Sequence, residues 1–323
     1  MFKRQNIPLL STFVVLVLLI SVAGLLFDNF LKPLNFANIL RNNAFLGVIA
    51  IGMTFVILSG GIDLSVGTVM AFSTILLARL ISVHHLPPFT AILLVLLVGA
   101  SFGAILGLTI HAYRLPPFLV TLAGMFLAKG LAFVVLPQSR KIDHEHFSAI
   151  AGFKWKVFGN APITTATIVF LLVVCIGLYL AHGTRFGRNV YAIGGSESSA
   201  LLMGLPVGKT KILVYAMSGC CAALGGILWS LNTRSGNPAI PLGTELDAIA
   251  CVVIGGTLLT GGVGKVIGTL AGVLVFGTIA TMIRYQGLDS SWSRIALGVL
   301  LLAFIVIQTA VVQSAGKKGM TGT

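Results

Sequence analysis

The sequence predicts an all-α integral membrane protein, a polytopic bundle of about ten transmembrane helices in which some segments are broken or Gly-interrupted. Composition, run length and the placement of charge carry that expectation. Apolar and aromatic residues make up 57% of the 323 residues and charged residues only 9%, and the mean hydropathy is +1.03. A soluble domain carries about 25% charged residues, so a soluble globular, disordered or collagen-like chain is excluded. The apolar residues fall in runs of about 20, the length that crosses a hydrocarbon core ~30 Å thick. Most links between the runs are short, and they hold most of the Lys and Arg.

The first run, Leu9 to Phe27, follows the basic start Met1-Phe-Lys-Arg4. Ser21-Val-Ala23 resembles a cleavage site, but the run is long for a signal peptide and more spans follow, so it reads as an uncleaved first helix. Hydropathy places further spans at 43–60, 64–82, 90–112, 116–136, 163–182, 211–232, 246–262, 265–284 and 293–313. Residues 1–323 thus form one transmembrane domain with two long polar links, Pro137 to Pro162 and Gly183 to Lys211. An even number of spans puts both termini on one side, and Lys3, Arg4, Lys317 and Lys318 point to the cytoplasm. The basic residues of the links divide evenly between the two sides, so the positive-inside rule does not orient the chain.

The net charge of +13 would suit nucleic acid in a soluble protein. Here the basic links anchor helix ends at anionic membrane lipid, and no basic patch with interleaved aromatics marks a nucleic-acid surface. Cys175, Cys220, Cys221 and Cys251 lie inside apolar runs without a C-x-x-C pair and read as small core hydrophobes.

A weak repeat runs through the chain. Ser59-Gly-Gly-Ile62 followed by Val66-Gly-Thr68 matches Thr260-Gly-Gly-Val263 followed by Ile267-Gly-Thr269, at an offset of 201 residues. Each copy interrupts two apolar runs. Transporters place substrate sites where broken helices of repeats meet, whereas a plain pair of tight turns would leave the same trace.

Catalytic patterns are absent: there is no G-x-S-x-G, H-E-x-x-H or paired C-x-x-C. Gly261-Gly-Val-Gly264-Lys265 is not a phosphate loop, because Leu259 and Val266 stand where Gly and Ser or Thr belong. No cofactor is expected, and ATP, if it drives this protein, is hydrolysed by another subunit. Asp143-His-Glu-His146 carries zinc-type ligands, but adjacent side chains in a polar link hydrate independently.

Ionisable groups near the membrane interior are more telling, since they are costly unless they face protein or water. Asp63 follows the glycines of the first break and reads either as a helix cap or as a cap that also lines a pathway. Glu245 and Asp247 open the segment Glu245-Leu-Asp-Ala-Ile-Ala250, as first-turn acids or as an outward docking site for a delivery protein. Lys129 is the one base inside a span, and it is expected to snorkel or to meet a carboxylate. Ser196 to Leu205 is a short amphipathic stretch that would offer Leu201, Leu202, Met203 and Leu205 to a groove in a partner.

Four strings, NNAFLGVIAIGMTFVILSGGIDLSVG from Asn42, LPPFLVTLAGM from Leu115, TRFGRNVYAIGGSESSALLMGL from Thr184 and ELDAIACVVIGGTLLTGGVG from Glu245, carry a resemblance. The chain resembles the permease subunits of bacterial ribose-type ABC sugar importers, most of all the galactofuranose-type importer permeases. That resemblance implies a multi-pass protein of the bacterial inner membrane with both termini cytoplasmic. It also implies ABC-type ATPase subunits, a second permease copy or paralogue and a periplasmic sugar-binding protein as partners. The link 183–211 would be the cytoplasmic coupling loop, with Gly195, Glu197, Ser198, Ser199, Ala200 and Gly204 facing the ATPase. Importer permeases carry E-A-A-x-x-x-G there; this chain has Ser198-Ser-Ala200-x-x-x-Gly204, with Glu197 one residue early.

The implied activity is translocation of a pentose or hexose by alternating access. Uncharged sugars need hydrogen-bonding groups along the route, and the candidates are Asn43, Thr54, Ser59, Asp63, Ser65, Thr121 and Thr257. Gly60, Gly61, Gly255 and Gly256 would permit close backbone approach. Singly, such residues also serve helix packing. An ion-coupled secondary transporter is the competing reading, but such proteins place ionisable groups in mid-span, and only Lys129 sits deep here.

Overall fold

A computed structural model describes residues 7–158, 161–240, 243–289 and 291–320. Lys3 and Arg4 lie outside them. Among the described residues the chain is a helical bundle: α1 (Ile7–Leu26), α2 (Pro33–Leu58), α3 (Val66–Ser82), α4 (Pro88–Tyr113), α5 (Pro117–Val135), α6 (Glu145–Gly152), α7 (Thr165–Gly183), α8 (Arg185–Gly195), α9 (Glu197–Leu202), α10 (Val207–Thr233), α11 (Thr244–Ile254), α12 (Val266–Tyr285) and α13 (Ser291–Met320). Seven helices, α1, α2, α4, α5, α7, α10 and α12, are long and apolar enough to cross a membrane, and α3 and Ser291–Val306 of α13 are shorter apolar helices.

Proline sets three of the starts. Pro33, Pro88 and Pro117 each occupy the first turn of a helix, where the missing N–H would have had no partner. This is why α2 begins well before the start at 43 that hydropathy alone gives: the polar stretch Asn35 to Asn43 belongs to the helix. Arg114 and Arg234, both at φ 52°, turn the chain out of α4 and α10.

At the centre lie α2 and α10. Every residue of α2 from Leu46 to Leu58 is buried. Gly99 and Gly103 of α4 lie against Gly219 of α10, with no room for a Cβ on either side, the close approach that small residues give membrane helices. Helix α3 packs on α10 and α5, α12 on α2, α11 and α1, and α7 on α2. Outer helices turn large apolar side chains outward, among them Leu25, Phe89, Phe126 and Leu172, as a lipid-facing surface requires.

One predicted span is helical over only part of its length. Instead of a helix over 246–262, α11 is 11 residues long, ~16 Å at 1.5 Å per residue, and residues 255–265 are non-helical. Glycine counts as neutral in hydropathy, so a broken segment and a continuous helix leave the same trace. The two polar links are structured as well. Across the first, β1 (Arg140–Lys141) pairs antiparallel with β4 (Ser235–Gly236), and β2 (Lys154–Phe158) pairs with β3 (Ala161–Thr164). The second holds α8 and α9, so Gly183 to Lys211 is mostly helical. These links mark the two ends of the bundle, the hairpin end and the α8–α9 end.

Candidate functional site

Helix α2 stops at Leu58 because Ser59-Gly-Gly61 follows: Gly60 stands at φ 81°, a conformation costly for any residue with a Cβ. Asp63 organises the turn that follows. Its Oδ1 accepts from the Ser65 N–H at 2.9 Å and the Ser65 hydroxyl at 2.6 Å, and its Oδ2 accepts from the Ser218 hydroxyl of α10 at 2.8 Å. Ser65 itself takes the cap position of α3, so Asp63 ties the turn to a second helix and does not act as a simple cap. Ser218 lies 11 residues into α10, ~16 Å from its start, so α3 begins deep inside the bundle. Thr121 of α5 and Tyr215 of α10 both donate to the Ile62 carbonyl, at 3.3 and 3.5 Å.

The second break repeats the first. Gly261, 201 residues beyond Gly60, stands at φ 86°, and the two glycines are in contact: a Cβ on Gly261 would lie 2.9 Å from the Gly60 Cα. The Gly262 N–H donates to the Leu58 carbonyl at 2.9 Å, and the hydroxyls of Thr54 (α2) and Thr269 (α12) hydrogen-bond at 2.7 Å. The broken turns of the repeat therefore meet. Thr257 lies in the second turn, beside Gly264, with its buried hydroxyl unpartnered. Gly255 and Gly256 lead into that turn, Gly255 against the Gly268 backbone of α12 and Gly256 at φ 88°.

Helix α8 closes on this junction. Thr184 caps it, its hydroxyl accepting from the Gly187 N–H at 3.2 Å. One face is then fastened to the breaks: the Tyr191 hydroxyl donates to the Gly264 carbonyl at 2.9 Å, and Gly194 lies on the Leu58 carbonyl, which a Cβ there would overlap. A Cβ on Gly262 would lie 2.8 Å from the Gly195 nitrogen. The chain passes directly into α9, whose Ser196 cap accepts from the Ser199 N–H at 3.3 Å. Ala200 is buried beneath α9, Gly204 turns the chain at φ 73°, and Glu197 pairs with Lys211 at 2.7 Å. Leu201, Leu202 and Met203 point outward, Leu202 being 90% exposed.

From the hairpin end a second element enters. After β4, Gly236 packs on α3 at Thr74 and Ala78, and Asn237 donates its N–H to the Thr74 hydroxyl at 3.1 Å. Further on, the Glu245 carboxylate lies against Gly67 at the start of α3. The chain thus descends alongside α3 and begins α11 inside the bundle. Lys129 holds it there, donating to the Pro238 and Ile240 carbonyls at 3.1 and 3.3 Å under the Phe133 ring. Lys129 therefore neither snorkels nor meets a carboxylate, because carbonyls freed by the non-helical chain lie nearer. Glu245 is 6% exposed, with Oε1 accepting from the Gly243 N–H at 2.9 Å and Oε2 unpartnered. It is a first-turn acid turned into the bundle, away from any outward surface, and Asp247 is half-buried.

Of the predicted polar residues, Asp63, Thr54 and Thr121 connect elements across the junction, whereas Ser65 bonds locally to Asp63. Asn43 and Ser59 bond carbonyls of their own helix, at 2.8 Å each, and Asn43 also packs on Gly277. Tyr191, Gly194, Ser218 and Gly262 were missed. The offset of 201 residues pointed to Gly262, but nothing local marks Tyr191 or Ser218.

A chain with two facing broken turns fastened to an amphipathic segment at one end matches known proteins along most of its length. The family described as branched-chain amino acid transport system / permease component matches residues 35–305. The inner membrane ABC transporter permease protein YjfF of Escherichia coli is 48% identical over 94% of this chain and 92% of its own. The ribose import permease RbsC of Bacillus subtilis is 38% identical over 92% of each chain, and the fructose import permease FruG of Bifidobacterium longum 37% over 98% and 94%. The chain belongs to this ABC importer permease family. No solved structure matches it. Although the family description mentions amino acids, these permease relatives include ones named for ribose and fructose. As a permease component, the chain is a membrane part of an importer.

Proposed function

We propose that this permease passes a monosaccharide, a pentose or hexose with galactofuranose the first to test, by alternating access, and that the meeting of the two broken turns is its gate. The carrying observation is the direct contact of α8 with both turns through Gly194 on Leu58 and Tyr191 on Gly264. A displacement of α9 by an ATPase partner reaches the gate through one short helix. Glycine against backbone leaves no slack in that contact, and main chain opened at membrane depth is tolerated where it is buried in protein or lines a pathway. The exposed Leu201, Leu202 and Met203 supply the apolar face for the ATPase groove. The α8–α9 end and both termini are cytoplasmic, and the hairpin end receives a periplasmic sugar-binding protein. A second permease, identical or paralogous, completes the assembly, and the chain itself hydrolyses nothing.

Reconstitution of this chain with ATPase subunits, the second permease and the binding protein in liposomes should give sugar uptake that stops without ATP. Uptake driven by an ion gradient with no ATPase present would overturn the reading. A Leu202→Cys variant should react with an impermeant thiol reagent only from the cytoplasmic side.

A further inference from the structure

At the hairpin end, α2, α7 and α10 with the first link line an open-mouthed cavity of about 600 Å³, within the ~300–1,000 Å³ range of small-molecule sites. Its floor is aromatic: the Phe45 and Trp229 rings meet edge-on, centroids 5.0 Å apart and planes at 82°. Its walls are polar, with Arg41 and Asn42 from α2, Lys154 from the first link and Asn232 and Arg234 from the end of α10, three cations in all, and no acid lines it. Arg41 is the informative member. It lies eight residues into α2, in the polar first part of that helix and just ahead of its apolar run. Here it faces this cavity, its Nε donating to the Asn42 Oδ1 at 3.3 Å.

Resting on the reading of the chain as a sugar permease, we propose that this cavity is a way-station for an uncharged monosaccharide between its release from the binding protein and its passage through the junction. A sugar presents hydroxyls that both donate and accept, along with a face of C–H bonds. The Asn42 and Asn232 amides offer both donor and acceptor, and Arg41 and Arg234 offer paired donors to neighbouring oxygens. The indole of Trp229 receives the C–H face, an apolar body with a few placed polar groups being the usual composition of such a site. The station binds weakly, because a site on a route must also release its cargo. It is separate from the junction, which none of its lining residues touches: Asn43, the next residue of α2, turns towards α12 instead.

The test uses the complete importer in lipid nanodiscs and liposomes, with the sugar chosen as the one among galactofuranose, ribose, fructose, galactose and arabinose that gives ATP-dependent uptake. Saturation-transfer NMR of that sugar on the importer without binding protein should show contact. The signal should vanish in an Asn42→Ala, Asn232→Ala double variant. Uptake at saturating liganded binding protein should fall about tenfold, one to two lost hydrogen bonds, with the KM for binding protein and the basal ATPase rate unchanged. Trp229→Leu should abolish the NMR signal too, and co-purification with the ATPase reports that it is folded. Uptake and NMR contact that survive both sets of substitutions overturn the station. So does an effect confined to the KM for binding protein, which would place that partner's side chains in the cavity. If the intact importer transports no sugar under ATP, it is the reading as a sugar permease that fails.

Discussion

The two broken turns share a sequence pattern and a backbone turn, yet they are held in opposite ways. Gly60 and Gly261 stand at φ 81° and 86°, but the first turn carries Asp63 where the second carries Gly264, 201 residues on. Asp63 accepts three hydrogen bonds and fixes its turn to α10. The second turn is held by main-chain bonds and by Tyr191 of α8, and its one buried hydroxyl, Thr257, has no partner. One copy is tied by its carboxylate to α10, and the other by main-chain bonds and Tyr191 to α8; on the proposed reading the first stays fixed and the second moves. The same sequence pattern is thus held in two ways by a difference of side chains.

Predictions that break or sharpen this contrast run from large to small. Replacing Asp63 by Leu removes three hydrogen bonds and strands the Ser65 and Ser218 donors; the cost should be ~3 kcal/mol or more, measured as loss of folded protein by size exclusion in detergent. Asp63→Asn keeps part of the network and should lower uptake more than folded yield. Equal losses would mean that Asp63 acts on the fold alone. Gly194→Val should force α8 off the breaks, because the side chain overlaps the Leu58 carbonyl; folded yield should fall, and uptake per ATP in the folded, ATPase-associated fraction should drop about a hundredfold. Full coupling in that variant would disconnect α8 from the gate. Tyr191→Phe loses a single bond worth ~1 kcal/mol and should reduce uptake per ATP about fivefold, read from parallel uptake and phosphate-release assays. Thr257→Val removes an unsatisfied buried hydroxyl and should raise thermal stability slightly, by ~1 kcal/mol or less, without loss of transport.

Sequence reasoning found both breaks, because Gly-Gly between apolar runs is a local signal. It found Asp63 too, since a carboxylate beside such a break is costly unless used. Residues whose role depends on a partner far along the chain escaped it. Ser218 is an ordinary serine until Asp63 lies 2.8 Å away, and Tyr191 belongs to a link until its hydroxyl reaches Gly264. Lys129 looked like a cation in need of water or a carboxylate, and the structure supplies the Pro238 and Ile240 carbonyls. Arg41 read as a link residue because the hydropathy window began α2 too late.

What the sequence alone determined was a membrane bundle, the approximate position of nine of its ten apolar segments as helices, and the two interrupted turns. Run length, proline and glycine act within a few residues, and a bilayer forces each apolar run to satisfy its own backbone as a helix. Only the tertiary structure decided that the eighth segment, 246–262, stops being helical halfway, that the two turns touch, and that α8 is fastened to both. Those outcomes depend on which backbones can approach across some two hundred residues of chain, and close approach is a property of the packed bundle.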